Sequence, residues 1–153
     1  MRQCVSKFNT GTLVGHRVDI SQIIKDNKKI FSIYPGSRLS EINVLTPILF
    51  KFVKKMNEKY KDLFFVFHST SEHVQLMQNL LLKEGLKNCG AIGDEKIKTH
   101  ILKSSMFAVA KSGTISLEIC NAKIPSIIIY KMGMINFFII KMLVKVKFAN
   151  III

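Results

Sequence analysis

Two short glycine-containing segments carry residue types that bind phosphate. The first is Pro35-Gly36-Ser37-Arg38, just past an apolar run of strand length and just before a run of helical period. Gly36 permits a tight turn and a close backbone approach, Ser37 offers a hydroxyl, and Arg38 offers a planar fork for two phosphate oxygens. The plain alternative is an ordinary turn between a strand and a helix with a solvated arginine. These four residues alone leave both interpretations open.

The second segment is Lys111-Ser112-Gly113-Thr114, followed by Glu118. A phosphate held by the N–H groups of Gly113 and Thr114 would lie at the start of a helix. Glu118, four residues on, would lie roughly 6 Å along the axis on the same face. That offset suits a carboxylate that accepts two ribose hydroxyls from a nucleoside diphosphate. The alternative here is a capped helix with an exposed glutamate.

Other site chemistry is not indicated. Neither segment is a Walker loop, and no Gly-x-Gly-x-x-Gly occurs. No Ser/His/Asp triad and no carboxylate pair can be argued from spacing, and we expect no cofactor and no metal. The histidines lack metal-ligand spacing with each other and with the cysteines; they are His16, His68, His73 and His100.

Apolar runs of strand length alternate with stretches of helical period, which places the two segments on a fold. Strands are predicted at Ile30–Tyr34, Leu63–Phe67, Met106–Ala110 and Ser126–Tyr130.

The helices between these strands have recognisable starts. In the first helix Ser40 is the expected N-cap and Glu41 is well placed for the helix dipole. Ser69 and Glu72 have the spacing of a capping box for the next helix, which should end at Gly85. Helical stretches are also expected near Ile97–Lys103 and from Ile115 to Ala122.

Strands that are apolar on both faces and separated by helices imply a parallel sheet covered on both sides. We therefore predict an α/β fold, Rossmann-like, with a parallel sheet and helices on both faces. Ligands in such sheets bind at the carboxyl ends of the strands, where both glycine segments fall. Residues 1–25 read as a lead-in, and residues 26–153 as one Rossmann-like domain.

The composition agrees with one folded domain that favours anionic partners. The chain has 153 residues, 48% of them hydrophobic, and a formal net charge of +13. Three cysteines without pairing motifs and a beginning without an apolar signal segment indicate a cytoplasmic protein. Nucleic acid is an unfavoured partner, because the aromatic residues lie mainly inside the apolar strand runs instead of between the basic residues.

The last part of the chain is both apolar and basic. All ten acidic residues lie at or before Glu118, and five lysines follow it. The apolar tract Met132–Val144 is too short to span a bilayer, for which about 20 residues are needed. It is expected to be a buried helix or, with its basic flanks, to contact a lipid surface.

With these residues in view, the chain resembles the C-terminal half of the lipid-A-disaccharide synthases, which are GT-B glycosyltransferases. The resemblance is ordered and nearly end to end. The matching stretches are Leu13–His16, Tyr34–Arg38 with Ser40–Ile42, Ala110–Thr114 with Leu117 and Glu118, Pro125, Tyr130–Lys131 and Leu143–Phe148.

This resemblance implies a donor, UDP-2,3-diacylglucosamine, and an acceptor, 2,3-diacylglucosamine 1-phosphate, at the inner-membrane surface. Arg38 would act on the catalytic step by neutralising the diphosphate as UDP leaves. The phosphates would be held by Ser112, Gly113 and Thr114, and the ribose by Glu118. The family's N-terminal domain supplies the acceptor site and the expected base.

The family enzyme is more than twice this length. The resemblance therefore implies a chain that is inactive alone or that works with a separate N-terminal half. The alternative is a catalytically inactive remnant that binds UDP or a membrane.

Overall fold

Nine regular elements make up the part of the chain that the structure, a computed structural model, describes, which is residues 29–130. The predicted lead-in, His16 and the tract Met132–Val144 lie outside these residues. The strands are β1 (Lys29–Tyr34), β2 (Leu63–His68), β3 (Cys89–Ile92), β4 (Phe107–Lys111) and β5 (Ser126–Ile129). The helices are α1 (Leu39–Lys59), α2 (Val74–Lys83), α3 (Glu95–Ser104) and α4 (Ile115–Asn121).

The five strands form one parallel sheet in the order β3-β2-β1-β4-β5. β1 is central, and its register pairs Phe31 with Phe65 of β2 and with Phe107 of β4. The chain winds outward from β1 to β3, returns across the sheet and continues from β4 to β5. The Rossmann-like α/β fold is thus confirmed, and the strand order reverses between β1 and β4.

Helices cover both faces of the sheet because alternate strand residues point to opposite sides. On one face α1 and α2 pack on Phe65 and Phe67 through Ile42, Val53 and Met77, all fully buried. On the other face α3 and α4 pack through three residues, Ile101, Leu102 and Ile119. Burial on both faces explains why the central strands read as continuous apolar runs.

The edge strand β3 is not predicted from the sequence. β3 has only four residues, Cys89-Gly90-Ala91-Ile92, and pairs with β2 at the sheet edge. Its glycine and its shortness give no period-two or apolar run to detect. The bounds of the four predicted strands match those of β1, β2, β4 and β5 to within one residue.

Two predicted helix starts are wrong. Helix α1 begins at Leu39 with Arg38 as its N-cap, so Ser40 lies inside the helix, while Glu41 lies in the first turn as expected. Helix α2 begins at Val74 and not at the predicted capping box of Ser69 and Glu72.

The chain makes a turn before α2, which explains the late start. The carbonyl oxygen of Thr70 accepts the N–H of His73 at 3.1 Å, so residues 71–73 close a turn first. The side chain that assists this turn is the hydroxyl of Thr70, which accepts the same N–H at 3.3 Å. Ser69 is instead buried against the sheet.

Candidate functional site

A cleft of about 350 Å³ opens at the carboxyl edge of the sheet, where the strand order reverses. Its walls are the loops that follow β1, β2 and β4, together with one side of α3. The two glycine segments face each other across it. All seven residues predicted from the sequence line this cleft: Gly36, Ser37, Arg38, Ser112, Gly113, Thr114 and Glu118.

The carboxylate of Glu41 ties the two sides of the cleft together. Its Oε1 accepts a hydrogen bond from Lys111 Nζ at 2.8 Å, and its Oε2 accepts the backbone N–H groups of Ser37 at 3.2 Å and Arg38 at 3.5 Å. Partial burial raises the pKa of Glu41, but the hydrogen bonds from Lys111 and Arg38 outweigh that cost. The pKa of Glu41 therefore lies below its ordinary value, and the carboxylate is charged at neutral pH.

Gly36 is required by this arrangement. Its φ of +114° lies in the region that side-chain-bearing residues rarely adopt. A Cβ built there would also come within 2.8 Å of Glu41 Cβ and would collide with the carboxylate. The loop after β1 can wrap onto Glu41 only because position 36 carries no side chain.

Arg38 is the most available cation of the cleft. Its side chain is 81% exposed, and it contacts Glu41 Oε1 only at 3.8 Å. An exposed ion pair of this length contributes little free energy. The guanidinium can therefore turn onto a bound anion at small cost, whereas Lys111 is held by Glu41 at 2.8 Å.

The loop after β4 forms the opposite side of the cleft. The N–H of Ser112 is bonded to the carbonyl of Ile129 in β5, which fixes the loop to the sheet. A Cβ at Gly113 would meet nothing within 4 Å, so open space lies in front of this backbone. Glu118, on α4, is exposed at the cleft rim.

The structure adds cleft residues that the sequence analysis did not select. Lys98 enters from α3, only 16% exposed, and donates to the carbonyl oxygen of Ser69 at 3.2 Å and to Glu95. His68 and Ser69 form the wall at the end of β2. The sequence does contain a sign of His68 and Ser69: they follow an apolar strand run, as the two glycine segments do.

His68 is held rigidly in that wall. Its ring stacks on Tyr34 with centroids 4.1 Å apart, and its Nε2 lies 2.8 Å from the Ser32 hydroxyl. Burial, with a smaller contribution from the nearby Lys98 ammonium, lowers the pKa of His68 well below its ordinary value. The imidazole is therefore neutral at physiological pH.

Between residues 29 and 130, no group of histidine, cysteine, aspartate and glutamate side chains is arranged to hold a metal ion. No helix in the same range is long and apolar enough to cross a bilayer.

Comparison with known proteins decides the family. The model of the lipid-A-disaccharide synthetase family matches residues 16–153. The chain belongs to this family. Lipid-A-disaccharide synthase of Rickettsia typhi is 32% identical over 129 residues, which cover 84% of this chain and 33% of that protein. The corresponding enzyme of Campylobacter jejuni strain RM1221 is 32% identical over 156 residues, covering 92% of this chain and 39% of that protein.

The chain thus spans between a third and two fifths of the length of these lipid-A-disaccharide synthases. Among solved structures, the Staphylococcus aureus MnaA–UDP co-structure superposes with a TM-score of 0.55 at 16% identity. That match covers 81% of this chain and 32% of that one, and it supports the fold.

Proposed function

We propose that this chain supplies the UDP-sugar site of lipid-A-disaccharide synthesis. The reaction is a hexosyl transfer of 2,3-diacylglucosamine from UDP to 2,3-diacylglucosamine 1-phosphate, in the formation of lipid A. The observation that carries the proposal is the convergence of two sequence-distant glycine-containing loops on one cleft at the strand-order reversal. Family membership supplies the reaction class.

The diphosphate is assigned to the space between the two loops. Ser37 and Arg38 reach it from the β1 side, and the hydroxyls of Ser112 and Thr114 and the backbone of Gly113 and Thr114 reach it from the β4 side. The N–H groups of Ser37 and Arg38 already bind Glu41, so the β1 loop contributes side chains to this task. Gly113 leaves room for a phosphate to approach the backbone.

Arg38 takes the catalytic role. When the bond between the sugar and UDP breaks, negative charge develops on the departing β-phosphate. A guanidinium aimed at that position stabilises the transition state more than the ground state, and only such differential binding accelerates the step. Because Arg38 is exposed and only loosely paired with Glu41, its guanidinium can move to contact the β-phosphate as this charge develops.

Glu118 is assigned to the ribose. A carboxylate accepts hydrogen bonds from the two adjacent hydroxyls of a ribose, one at each oxygen. Glu118 lies in the first turn of α4, one turn from Thr114, so a nucleotide whose phosphates contact the β4 loop places its ribose beside it.

The acceptor and the membrane complete the proposal. In the family the acceptor site and the base belong to the N-terminal half, so transfer requires that half, on this or on another chain. Both lipid substrates partition into a bilayer, and the basic protein would act peripherally on the inner membrane from the cytoplasm. No cofactor is required, because the diphosphate is itself the leaving group.

A titration of UDP into the 153-residue chain tests the site. The Arg38→Ala and Glu118→Ala variants are compared with Lys55→Ala and Glu58→Ala, which remove the same charges from α1 residues that do not line the cleft. We expect saturable binding that weakens about tenfold or more in the two cleft variants, the usual cost of a lost charged hydrogen bond, and that is unchanged in the controls.

Unfolding curves recorded for each variant show whether the chain is folded. Absence of UDP binding by the folded wild-type chain would overturn the proposed site. Equal losses in Arg38→Ala and Lys55→Ala, with no loss in either glutamate variant, would indicate a general charge effect instead. If UDP binds and transfer is absent even with the N-terminal half supplied, the inactive UDP-binding alternative is favoured.

A further inference from the structure

Two buried polar atoms in the wall of the cleft have no hydrogen-bond partner among the described residues. They are Nδ1 of His68 and the hydroxyl oxygen of Ser69. Both residues are 2% exposed, both line the cleft, and they are consecutive at the carboxyl end of β2. A buried polar group without a partner is energetically unfavourable, so two on consecutive residues call for a physical reason.

The hydrogen-bond pattern around His68 fixes which of its nitrogens carries the proton. The Ser105 hydroxyl donates to the carbonyl oxygen of Ile101 at 2.8 Å, which uses its only hydrogen. Ser105 must then accept the hydrogen of the Ser32 hydroxyl, 2.7 Å away. Ser32 in turn must accept from His68 Nε2 at 2.8 Å.

These three bonds can all form only if His68 carries its proton on Nε2. The ring is neutral because it is buried and because the Lys98 ammonium lies nearby. Nδ1 is therefore a lone-pair acceptor, and stacking on Tyr34 holds its orientation. The network explains Nε2 fully and leaves Nδ1 without a structural role.

Ser69 is a complementary group. Its carbonyl oxygen is occupied by Lys98 Nζ, which fixes the backbone, while its hydroxyl stays without a partner. A hydroxyl both donates and accepts. The wall thus offers a fixed acceptor at His68 and, on the next residue along the chain, an adaptable donor at Ser69.

We infer that His68 Nδ1 and the Ser69 hydroxyl form a specificity subsite that binds an adjacent donor and acceptor pair of the nucleotide-sugar. The ligand group is an N–H or O–H next to an oxygen, as found in the imide edge of a pyrimidine base or in neighbouring sugar hydroxyls. Neither protein atom is exposed to solvent, so the groups in front of them move aside when the ligand binds, while the stacked ring of His68 keeps its position. This inference rests on the proposed function, because it assumes that the cleft binds a UDP-sugar.

The ¹⁵N resonance of His68 Nδ1, recorded in the 153-residue chain, gives a direct test. In the free protein we expect it at the position of an unprotonated ring nitrogen. It should move upfield when the nitrogen accepts a hydrogen bond from the ligand. Uridine, UDP and UDP-glucose are the probes: a shift with uridine assigns the base or ribose, and a shift only with UDP-glucose assigns the sugar.

Two substitutions separate the acceptor from the structural bond. In His68→Gln the side-chain amide can still donate to Ser32 but places no acceptor at the position of Nδ1. In His68→Asn the carbonyl oxygen can take the place of Nδ1. We expect affinity for the probe that shifts the resonance to fall about five- to tenfold in His68→Gln and less in His68→Asn. Ser69→Ala should weaken the same probe about threefold.

The failures of the two proposals can be told apart. If the probes bind and Arg38→Ala weakens them, but the Nδ1 resonance stays fixed and His68→Gln binds as wild type, this inference is wrong and the donor site stands. If no probe binds the folded wild-type chain, both are wrong. If His68→Gln does not fold, the wild-type resonance decides alone.

Discussion

Glu41 and Lys111 join the two halves of the sheet across the point where the strand order reverses, with 2.8 Å between Oε1 and Nζ. The two residues are 70 positions apart: Glu41 lies in the first turn of α1, and Lys111 is the last residue of β4. The other oxygen of Glu41 holds the backbone of the β1 loop. One carboxylate thus sets the distance between the two sides of the candidate site.

Replacement of this carboxylate should destabilise the protein in a pH-dependent way. The folded-state pKa of Glu41 is below its ordinary value of 4.5, so its contribution is complete above that pH and is lost as the pH falls through the folded-state pKa. We expect Glu41→Gln to lower the free energy of unfolding by about 1–2 kcal/mol at pH 7, with the difference shrinking in acid. Urea unfolding at pH 7 and pH 3 measures both values.

A surface pair provides the control for this prediction. Glu84 contacts Lys54, and their side chains are 42% and 49% exposed. Glu84→Gln should change the free energy of unfolding by less than about 1 kcal/mol at either pH. Equal effects of the two substitutions would contradict the role given to Glu41.

Two glycines of the cleft should respond differently to alanine. Gly36→Ala forces a Cβ into Glu41 at a φ of +114°, so we expect a loss of at least about 2 kcal/mol of stability. Gly113→Ala places its Cβ in open space and should leave the melting temperature nearly unchanged. If phosphate approaches that backbone, Gly113→Ala should still weaken UDP binding. Thermal unfolding and UDP titration of both variants check this, and normal UDP affinity of Gly113→Ala would remove Gly113 from the phosphate site.

Strong local patterns made most of the fold predictable. Strands such as β2 are buried on both faces of the sheet, so almost every one of their residues is apolar. Such a run of consecutive apolar residues can be recognised in the sequence. β3 was missed because an edge strand of four residues with a glycine carries no such pattern. The predicted start of α2 is wrong because the hydroxyl of Thr70, and not that of Ser69, accepts the N–H that closes the preceding turn. Ser69 is buried in the folded chain.

The site was partly predictable for a related reason. Gly36 and Gly113 stand out in sequence because they follow strand runs, and the rule for open α/β sheets places such loops at one edge. The partnership of Glu41 with Lys111 joins residues 70 positions apart, and only the strand order brings them together. His68 lacked any motif, because its hydrogen-bond state depends on Ser32 and Ser105 from other parts of the fold.

The two described cysteines should differ in reactivity. Burial raises the pKa of the Cys89 thiol to about 12, so at pH 8 only about one molecule in 10⁴ carries the reactive thiolate there. Cys120 is exposed on α4. We expect iodoacetamide to label Cys120 far faster than Cys89 in the folded chain, and both readily in urea. Peptide mapping by mass spectrometry after short exposures measures the two rates, and comparable folded-state labelling would show that β3 opens easily.

The buried neutral state of His68 should make the protein acid-sensitive below neutrality. The pKa of His68 is lowered well below 6.5 in the folded state. As the pH falls below 6.5, His68 therefore binds a proton in the unfolded chain but not in the folded one. Stability should therefore decline by up to about 1.4 kcal/mol for each pH unit below 6.5. The glutamine in His68→Gln cannot titrate and keeps a donor toward Ser32. The stability of this variant should therefore fall less steeply with falling pH, by up to about the same 1.4 kcal/mol per unit. Urea unfolding of both proteins at pH 7.5, 6.5 and 5.5 gives the two slopes. Parallel slopes would mean that His68 gains its proton without unfolding, and the neutral acceptor assigned to the cleft wall would be lost.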